Sequence, residues 1–225
     1  MSERPSALRR FFVKEGKLHP LWRSILYILA YFMGLLATQT PVLVIYALLP
    51  MTTGMSGQEV MERLTPEALP LTVLLAAKVL ETAMLFLITY LFRRFLDKRS
   101  FVSLGFERRP GWLADIAWGI VLGLVLMSSI FLVQWNGGWL TMKGFVWESQ
   151  PLASILATLG GYFLLFILVG VSEELIFRGY LLSNLQEWRG AVMAVALSSL
   201  LFGLFHSLNP HISPLALIHL VLAGA

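Results

Sequence analysis

The chain contains no cysteine among its 225 residues. That absence excludes a disulfide framework, a thiolate metal site and a cysteine nucleophile. Charged residues are also scarce, at 13%, whereas apolar residues make up 57% of the chain. Because a typical soluble domain has about 25% charged residues, this composition predicts an integral membrane protein.

Two common catalytic motifs are missing as well. No G-x-S-x-G motif surrounds Ser172, which disfavours a serine nucleophile, and no H-E-x-x-H zinc motif occurs anywhere. The net charge of +4 does not indicate a nucleic-acid partner, because the basic residues flank apolar runs as the positive-inside rule requires. The expected partners are membrane lipid and a peptide or protein substrate, and the sequence does not define an oligomeric state.

Apolar runs separated by polar loops predict an all-α, polytopic membrane protein with about five complete transmembrane helices plus a truncated sixth. The five cover about residues 22–49, 70–92, 113–133, 152–188 and 191–206. The sixth starts near Ser213 and reaches Ala225. Its dozen or so residues are too few to cross ~30 Å of hydrocarbon at about 1.5 Å per residue.

Lysine and arginine are concentrated on one predicted side of the membrane. Of 17, six lie within residues 1–23, six lie in the loop after the second helix, and Arg189 follows the fourth helix. Only Arg63 and Lys143 lie in loops on the other side. We therefore expect a multi-pass plasma-membrane protein whose basic segment 1–20 is cytoplasmic and whose transmembrane domain spans 21–225.

Two adjacent glutamates, Glu173 and Glu174, follow an uncharged run over residues 152–171. A charge at bilayer depth costs roughly 2.5 to 3.5 kcal/mol, so the pair indicates a site. On a helix, Arg178 lies four residues after Glu174 on the same face and can neutralise it. Glu173 lies about 100° further round and is left to face another group.

A histidine reaches the same depth if the chain turns at Arg189-Gly190. The glutamates precede that turn by about 16 residues and His206 follows it by the same number, so an antiparallel hairpin brings them level. Phe202, one helical turn earlier, can pack beside the imidazole. Two carboxylates and an imidazole can hold a divalent metal or activate a water directly, and both alternatives stay open here. With Zn²⁺, Glu174 and His206 are the candidate ligands.

Other intramembrane polar residues have simpler interpretations. Lys78 and Glu81 lie three residues apart on one helix face. They are interpreted either as a self-neutralising pair or as part of a polar cavity. His19 is interpreted as an interfacial anchor and His211 as a loop residue. His219 is a weaker candidate for the polar site.

At these positions the sequence resembles the CPBP family of intramembrane proteases, which includes type II CAAX prenyl endopeptidases and bacteriocin-processing (Abi-like) and self-immunity proteins. The resemblance covers about residues 100–225. It rests on Glu173-Glu174-x-x-x-Arg178 followed by Gly179-Tyr180, on Phe202-x-x-x-His206, and on Ser103-Leu104-Gly105-Phe106 before the third helix.

The resemblance implies that Glu173 is the water-activating base, that Glu174 and His206 complete the polar site and that Arg178 supports it. The family also has a third motif, a histidine followed four residues later by asparagine or a similar residue. Neither His211 nor His219 has such a partner. We therefore expect the third motif beyond the last residue given, and expect the 225-residue chain alone to be incomplete or inactive.

The residues and the resemblance together predict an intramembrane endopeptidase that hydrolyses a peptide bond by glutamate-activated water, with zinc dependence left open. The alternative is a non-catalytic membrane scaffold or bacteriocin self-immunity protein, in which the same polar residues only join helices. A transporter, suggested by Lys78 and Glu81, is the third alternative.

Overall fold

The computed structural model describes residues 11–51, 54–65, 68–210 and 212–225. Helices dominate this part of the chain, which confirms the predicted all-α membrane class. The α-helices are α1 Pro20–Met51, α2 Gly57–Arg63, α3 Leu71–Leu91, α4 Trp112–Asn136, α5 Leu152–Glu173, α6 Leu182–Arg189, α7 Ala191–His206 and α8 Pro214–Ala223.

Shorter elements join or extend these helices. The π-helical segment Phe92–Asp97 continues α3, and the π-helical segment Glu174–Leu181 joins α5 to α6. Single 3₁₀ turns cover Val102–Leu104 and Val146–Glu148. Before α1, strand β1 (Val13–Lys14) pairs antiparallel with strand β2 (Lys17–Leu18). The basic residues Arg4, Arg9 and Arg10 of the predicted cytoplasmic segment lie outside the described residues.

Four helical segments are long and apolar enough to cross a membrane: Pro20–Leu48, Leu71–Asp97, Trp112–Asn136 and Leu152–Arg189. The fifth predicted span, α7, has 16 residues, and α8 has 10. At 1.5 Å per residue, α7 rises only about 24 Å, less than the ~30 Å hydrocarbon thickness. It ends at His206, and Pro210 follows four residues later. Proline has no backbone N–H to donate, so the helix cannot continue through it.

The loop predicted between the first two spans contains the short helix α2. Ser56 caps it, because the Ser56 hydroxyl accepts a hydrogen bond from the Glu59 backbone N–H at 3.3 Å. In return, the Glu59 carboxylate accepts one from the Ser56 backbone N–H at 2.8 Å, and this bond lowers the pKa of Glu59. Ser56-x-x-Glu59 is a capping box, which is typical of a helix N-terminus, although the segment was predicted as a loop.

The chain divides into two compact units. One comprises Met1–Gly105 with Gly160–Ala225, and the other comprises Phe106–Leu159. The second unit holds α4, whose residues are all exposed apart from the partly buried Gln134. The first unit contains both sequence motifs and the buried core.

The core is built around the π-helical segment Glu174–Leu181. Its buried apolar side chains are Tyr27 and Leu85 of α1 and α3, Leu175, Ile176, Phe177, Tyr180, Leu181 and Leu185 of the long helix, and Ala194 and Phe202 of α7. The rings of Tyr27 and Tyr180 stack at 3.9 Å between centroids. Such contacts matter because helices associate in lipid through close packing rather than through the hydrophobic effect.

A buried ion cluster, formed by Arg23, Arg93, Asp97 and Glu187, lies next to this core. Arg23 donates hydrogen bonds to Asp97 at 2.7 Å and to Glu187 at 2.5 Å, and Arg93 donates to the other Asp97 oxygen at 3.0 Å. Arg23 and Asp97 have no exposed side-chain surface. The cluster therefore joins the start of α1, the end of the α3 span and α6.

Candidate active site

The motif Glu173-Glu174-x-x-x-Arg178 lies in the continuous helical segment Leu152–Arg189, at the point where its hydrogen-bonding pattern changes. Glu173 is the last residue of α5, and Glu174 begins the π-helical segment. In that segment, the Phe177 carbonyl accepts a hydrogen bond from the Ser198 hydroxyl of α7 at 2.8 Å. The helix continues to Arg189, as predicted. Short π-helical insertions inside α-helices are frequent at functional sites.

The helical hairpin brings Glu173 and His206 together. Gly190 forms the turn between α6 and α7 with φ = 82°, a conformation that favours glycine. Across the hairpin, Glu173 Oε1 lies 3.4 Å from His206 Nε2. The Glu173 side chain is 32% exposed and the His206 side chain 19% exposed. The equal spacing on either side of the turn predicted His206 at the depth of both glutamates, and the structure brings it to Glu173 and not to Glu174.

The hydrogen bond of His206 Nδ1 determines the tautomer of the neutral imidazole. Nδ1 lies 2.8 Å from the Phe202 carbonyl oxygen, and because a carbonyl only accepts, Nδ1 carries a proton. The Phe202 ring packs against the imidazole at 4.5 Å, as predicted. In the neutral ring, Nε2 therefore presents a lone pair to the Glu173 carboxylate. At this separation the two atoms need a shared proton between them, which is a suitable arrangement for proton transfer.

Glu174 and Arg178 form a separate pair. The Arg178 guanidinium bonds Glu174 in the predicted ion pair and also donates to the Ala223 carbonyl at 2.7 Å. The Glu174 side chain is 59% exposed, and it does not line the cavity that contains Glu173. The four predicted site residues thus fall into two pairs, and Arg178 links the motif to α8.

A cavity of about 330 Å³ opens beside Glu173 and His206. Its lining residues are Tyr31, Lys78, Val169, Ser172, Glu173, Ile176, Phe177, Phe205, His206 and Asn209. This volume lies at the lower end of the range for ligand sites, and the mixture of apolar walls with a few polar groups is typical of them.

The cavity includes polar residues besides the predicted site residues Glu173 and His206. Lys78 Nζ lies 2.7 Å from Glu81 Oε1, and the Tyr31 hydroxyl donates to the same oxygen at 3.0 Å. Lys78 and Glu81 therefore form the self-neutralising pair, and Lys78 also faces the polar cavity, so both interpretations of the pair hold. Tyr31, inside α1, and Asn209, just after α7, carried no sequence signal for this position, because each is a single polar residue outside any motif.

The described residues do not fit a zinc site. They contain no group of three His, Asp or Glu side chains placed to hold a metal ion, whereas catalytic zinc generally has three protein ligands. Glu174 bonds Arg178 instead of meeting His206. His219 is exposed on α8 and does not line the cavity, and His211 lies outside the described residues.

The protein is thus of the polytopic membrane class, and the Glu173–His206 pair forms a polar site among its apolar helices. Residues 155–225 match the family described as Type II CAAX prenyl endopeptidase Rce1-like. This match confirms the resemblance seen in the two motifs and covers a narrower region than the predicted 100–225. This part of the chain is thus similar, at family level, to the CAAX-protease-like membrane peptidases. Comparisons with curated proteins and with solved structures gave no match.

Proposed function

We propose that this protein is an intramembrane endopeptidase in which Glu173 activates the attacking water. The observation that carries the proposal is the position of Glu173. Its carboxylate faces His206 in a cavity, whereas the neighbouring Glu174 is neutralised by Arg178. A carboxylate that no arginine neutralises, placed beside an imidazole, is suited to general base catalysis.

In the proposed reaction, Glu173 removes a proton from water, and the hydroxide adds to the carbonyl carbon of the scissile peptide bond. The carbonyl oxygen becomes an oxyanion in the tetrahedral intermediate. When the C–N bond breaks, the proton held by Glu173 passes to the leaving nitrogen. One water is consumed, and the products are a carboxylic acid and an amine.

His206 is proposed to stabilise the oxyanion. Its Nδ1–H is held by the Phe202 carbonyl, so Nε2 is the atom that faces the reacting groups. When Nε2 is protonated, it can donate a hydrogen bond to the oxygen on which negative charge develops. The backbone bond and the packed Phe202 ring keep the imidazole oriented for this role.

Glu174 and Arg178 are proposed to position the base rather than to contact the substrate. Arg178 joins the π-helical segment to the last residue of α8 through the Ala223 carbonyl. Because Glu174 follows Glu173 directly, the same ion pair fixes the backbone from which Glu173 projects. The pair also neutralises the second carboxylate, so that Glu173 does not face an adjacent uncompensated charge.

The proposed substrate is a peptide or protein segment that reaches the cavity at the membrane. Val169, Ile176 and Phe205 provide apolar walls beside the Glu–His pair. The matched family is described by its action on CAAX prenyl substrates, and a lipid-modified peptide is the substrate class that this name suggests for the present chain.

The proposed function is tested on protein expressed from its complete reading frame, purified and reconstituted in lipid. It is incubated with a library of prenylated and unmodified peptides in ¹⁸O-labelled water. We expect cleavage, with one ¹⁸O atom in the new carboxyl group of the product, as detected by mass spectrometry. The absence of cleavage of every peptide by a monodisperse, inserted preparation would contradict the proposal.

A second expectation concerns orientation, which the positive-inside rule assigns. We propose that the loop around Arg99 and the turn at Arg189 are cytoplasmic, and that Glu62 and Lys143 lie outside. Because the chain has no native cysteine, single cysteines can be introduced at these positions and exposed to an impermeant thiol reagent in intact cells. Lys143→Cys should be labelled and Arg99→Cys should not. The reverse pattern would show that the orientation is wrong.

A further inference from the structure

A second cavity, of about 660 Å³, lies at the end of the α3 span. It is lined by Tyr90, Arg94, Lys98, Arg99, Ser100, Phe101 and Val102. The left-handed conformation of Lys98, with φ = 53°, ends the π-helical segment. The chain then continues through residues 99–102, which line the same cavity as Tyr90.

The charge of this cavity is only partly compensated by nearby acids. Among the residues that the structure describes, its lining contains three basic residues and no acidic one. Arg99 lies 3.2 Å from Glu187, but that carboxylate also bonds Arg23 of the buried ion cluster. Asp97, the nearest acid in the sequence, is fully buried between Arg23 and Arg93. Within the described residues, Arg94 and Lys98 form no ion pair.

The cavity is also placed where a lipid headgroup would lie. Helix α3 starts at Leu71, and its 21 residues rise about 30 Å, which puts Tyr90 close to the second membrane surface. Tyrosine is enriched at that level of a bilayer. Val102, an exposed apolar residue, lies in the same lining. Cationic groups and apolar surface thus meet at one membrane interface.

We propose that Arg94, Lys98 and Arg99 form a binding site for a phosphate group at this interface. The ligand chemistry is a phosphate ester or phosphate ion, held by the guanidinium groups and the ammonium group. Its two sources are the headgroup of an anionic phospholipid and phosphate in solution. Exposed Tyr90 and Val102 favour the lipid, because they offer apolar contact beside the charged group.

The proposal is tested by calorimetric titration of the detergent-purified protein with three probes: dioctanoyl phosphatidylglycerol, dioctanoyl phosphatidylcholine and inorganic phosphate. The test variant is Arg94→Gln with Lys98→Gln, and the matched control is Arg63→Gln with Lys143→Gln. Both double variants lose two positive charges, but Arg63 and Lys143 do not line the cavity. Gel filtration and thermal unfolding check that each variant is folded.

We expect phosphatidylglycerol to bind more tightly than phosphatidylcholine. One basic residue near an anionic lipid contributes about a fivefold change in affinity, so the test variant should bind about thirtyfold more weakly. The control should bind within about twofold of the parent. If the test variant does not fold, the single variants Arg94→Gln and Lys98→Gln should each show about a fivefold loss.

Binding of inorganic phosphate with the same loss in the test variant would also support the site and would assign it to free phosphate. Three outcomes would overturn the proposal: no binding of any phosphate-containing probe, equal binding by the test variant and the parent, or an equal loss in the control. The last would show that net charge, rather than this cavity, attracts the ligand.

Discussion

Replacing Glu173 with glutamine is expected to lower the rate of peptide cleavage by about 10²- to 10⁴-fold, the usual contribution of a general base. The amide has nearly the shape of the carboxyl group but cannot accept the proton of the attacking water. The measurement is the initial rate with the best peptide of the library, at equal amounts of inserted protein. Full activity of Glu173→Gln would contradict the proposed mechanism.

Stability separates this catalytic role from the alternative in which the polar residues only join helices. Within the described part of the chain, Glu173 makes one ion contact, at 3.4 Å to His206, and its side chain is partly exposed. We therefore expect Glu173→Gln to unfold within a few degrees of the parent, because catalytic side chains often contribute little to stability or even reduce it. A structural role predicts the opposite result, a large fall in unfolding temperature.

Three further variants complete this experiment. Glu62→Gln, on the exposed surface of α2, is the matched control and should cleave at the parental rate. His206→Ala should also be slow. Because Glu173 and His206 are proposed to act as a unit, the double variant should be about as slow as the slower single variant, since the effects of such groups are not additive. Multiplicative losses would show that the two residues act independently.

Replacing Asp97 with asparagine is expected to destabilise the protein by about 3 to 5 kcal/mol, the usual cost of removing one partner from a buried ion pair. Asp97 accepts hydrogen bonds from Arg23 and Arg93, and from the Tyr180 hydroxyl at 3.3 Å. Without its charge, two arginines within the fold lose their common counter-ion. The unfolding temperature in detergent should fall by roughly 10 °C.

The other aspartate of the chain supplies the control for this prediction. Asp115 lies exposed in the first turn of α4, so Asp115→Asn loses only its interaction with the helix dipole, about 0.3 to 1 kcal/mol. A double-mutant cycle with Arg23→Gln should show coupling, because the two groups are in direct contact. If Asp97→Asn and Asp115→Asn unfold at the same temperature, the buried ion cluster does not stabilise the fold.

Several parts of the site could be predicted because they depend on local geometry. The ion pair of Glu174 with Arg178 follows from a spacing of four residues within one continuous helix. The contact of Glu173 with His206 is distant in sequence, but it follows from two equal helix lengths on either side of Gly190. Because the rise per residue is constant, such a hairpin contact can be predicted from the sequence alone.

Other parts could not be predicted, because the helices are apolar on all sides. A soluble helix shows which face it buries through an apolar stripe, but α1 and α3 have no such stripe. The sequence therefore did not indicate that Tyr31 of α1 lines the cavity beside Glu173, and it left open whether Lys78 of α3 faces a polar cavity. The basic residues Arg23 and Arg93 were counted for orientation, although in the fold both lie in the buried ion cluster.

The sequence by itself determined the membrane class, the approximate spans, the helical hairpin and the two motif pairs, because these follow from composition, helical rise and spacing along one chain. Only the tertiary structure decided that Glu174 is held away from the cavity, that Tyr31 and Lys78 line it and that Asp97 joins three helices. These features depend on the rotation of each helix about its own axis. In a membrane helix that rotation is set by packing against its neighbours, which an almost uniformly apolar sequence does not encode locally.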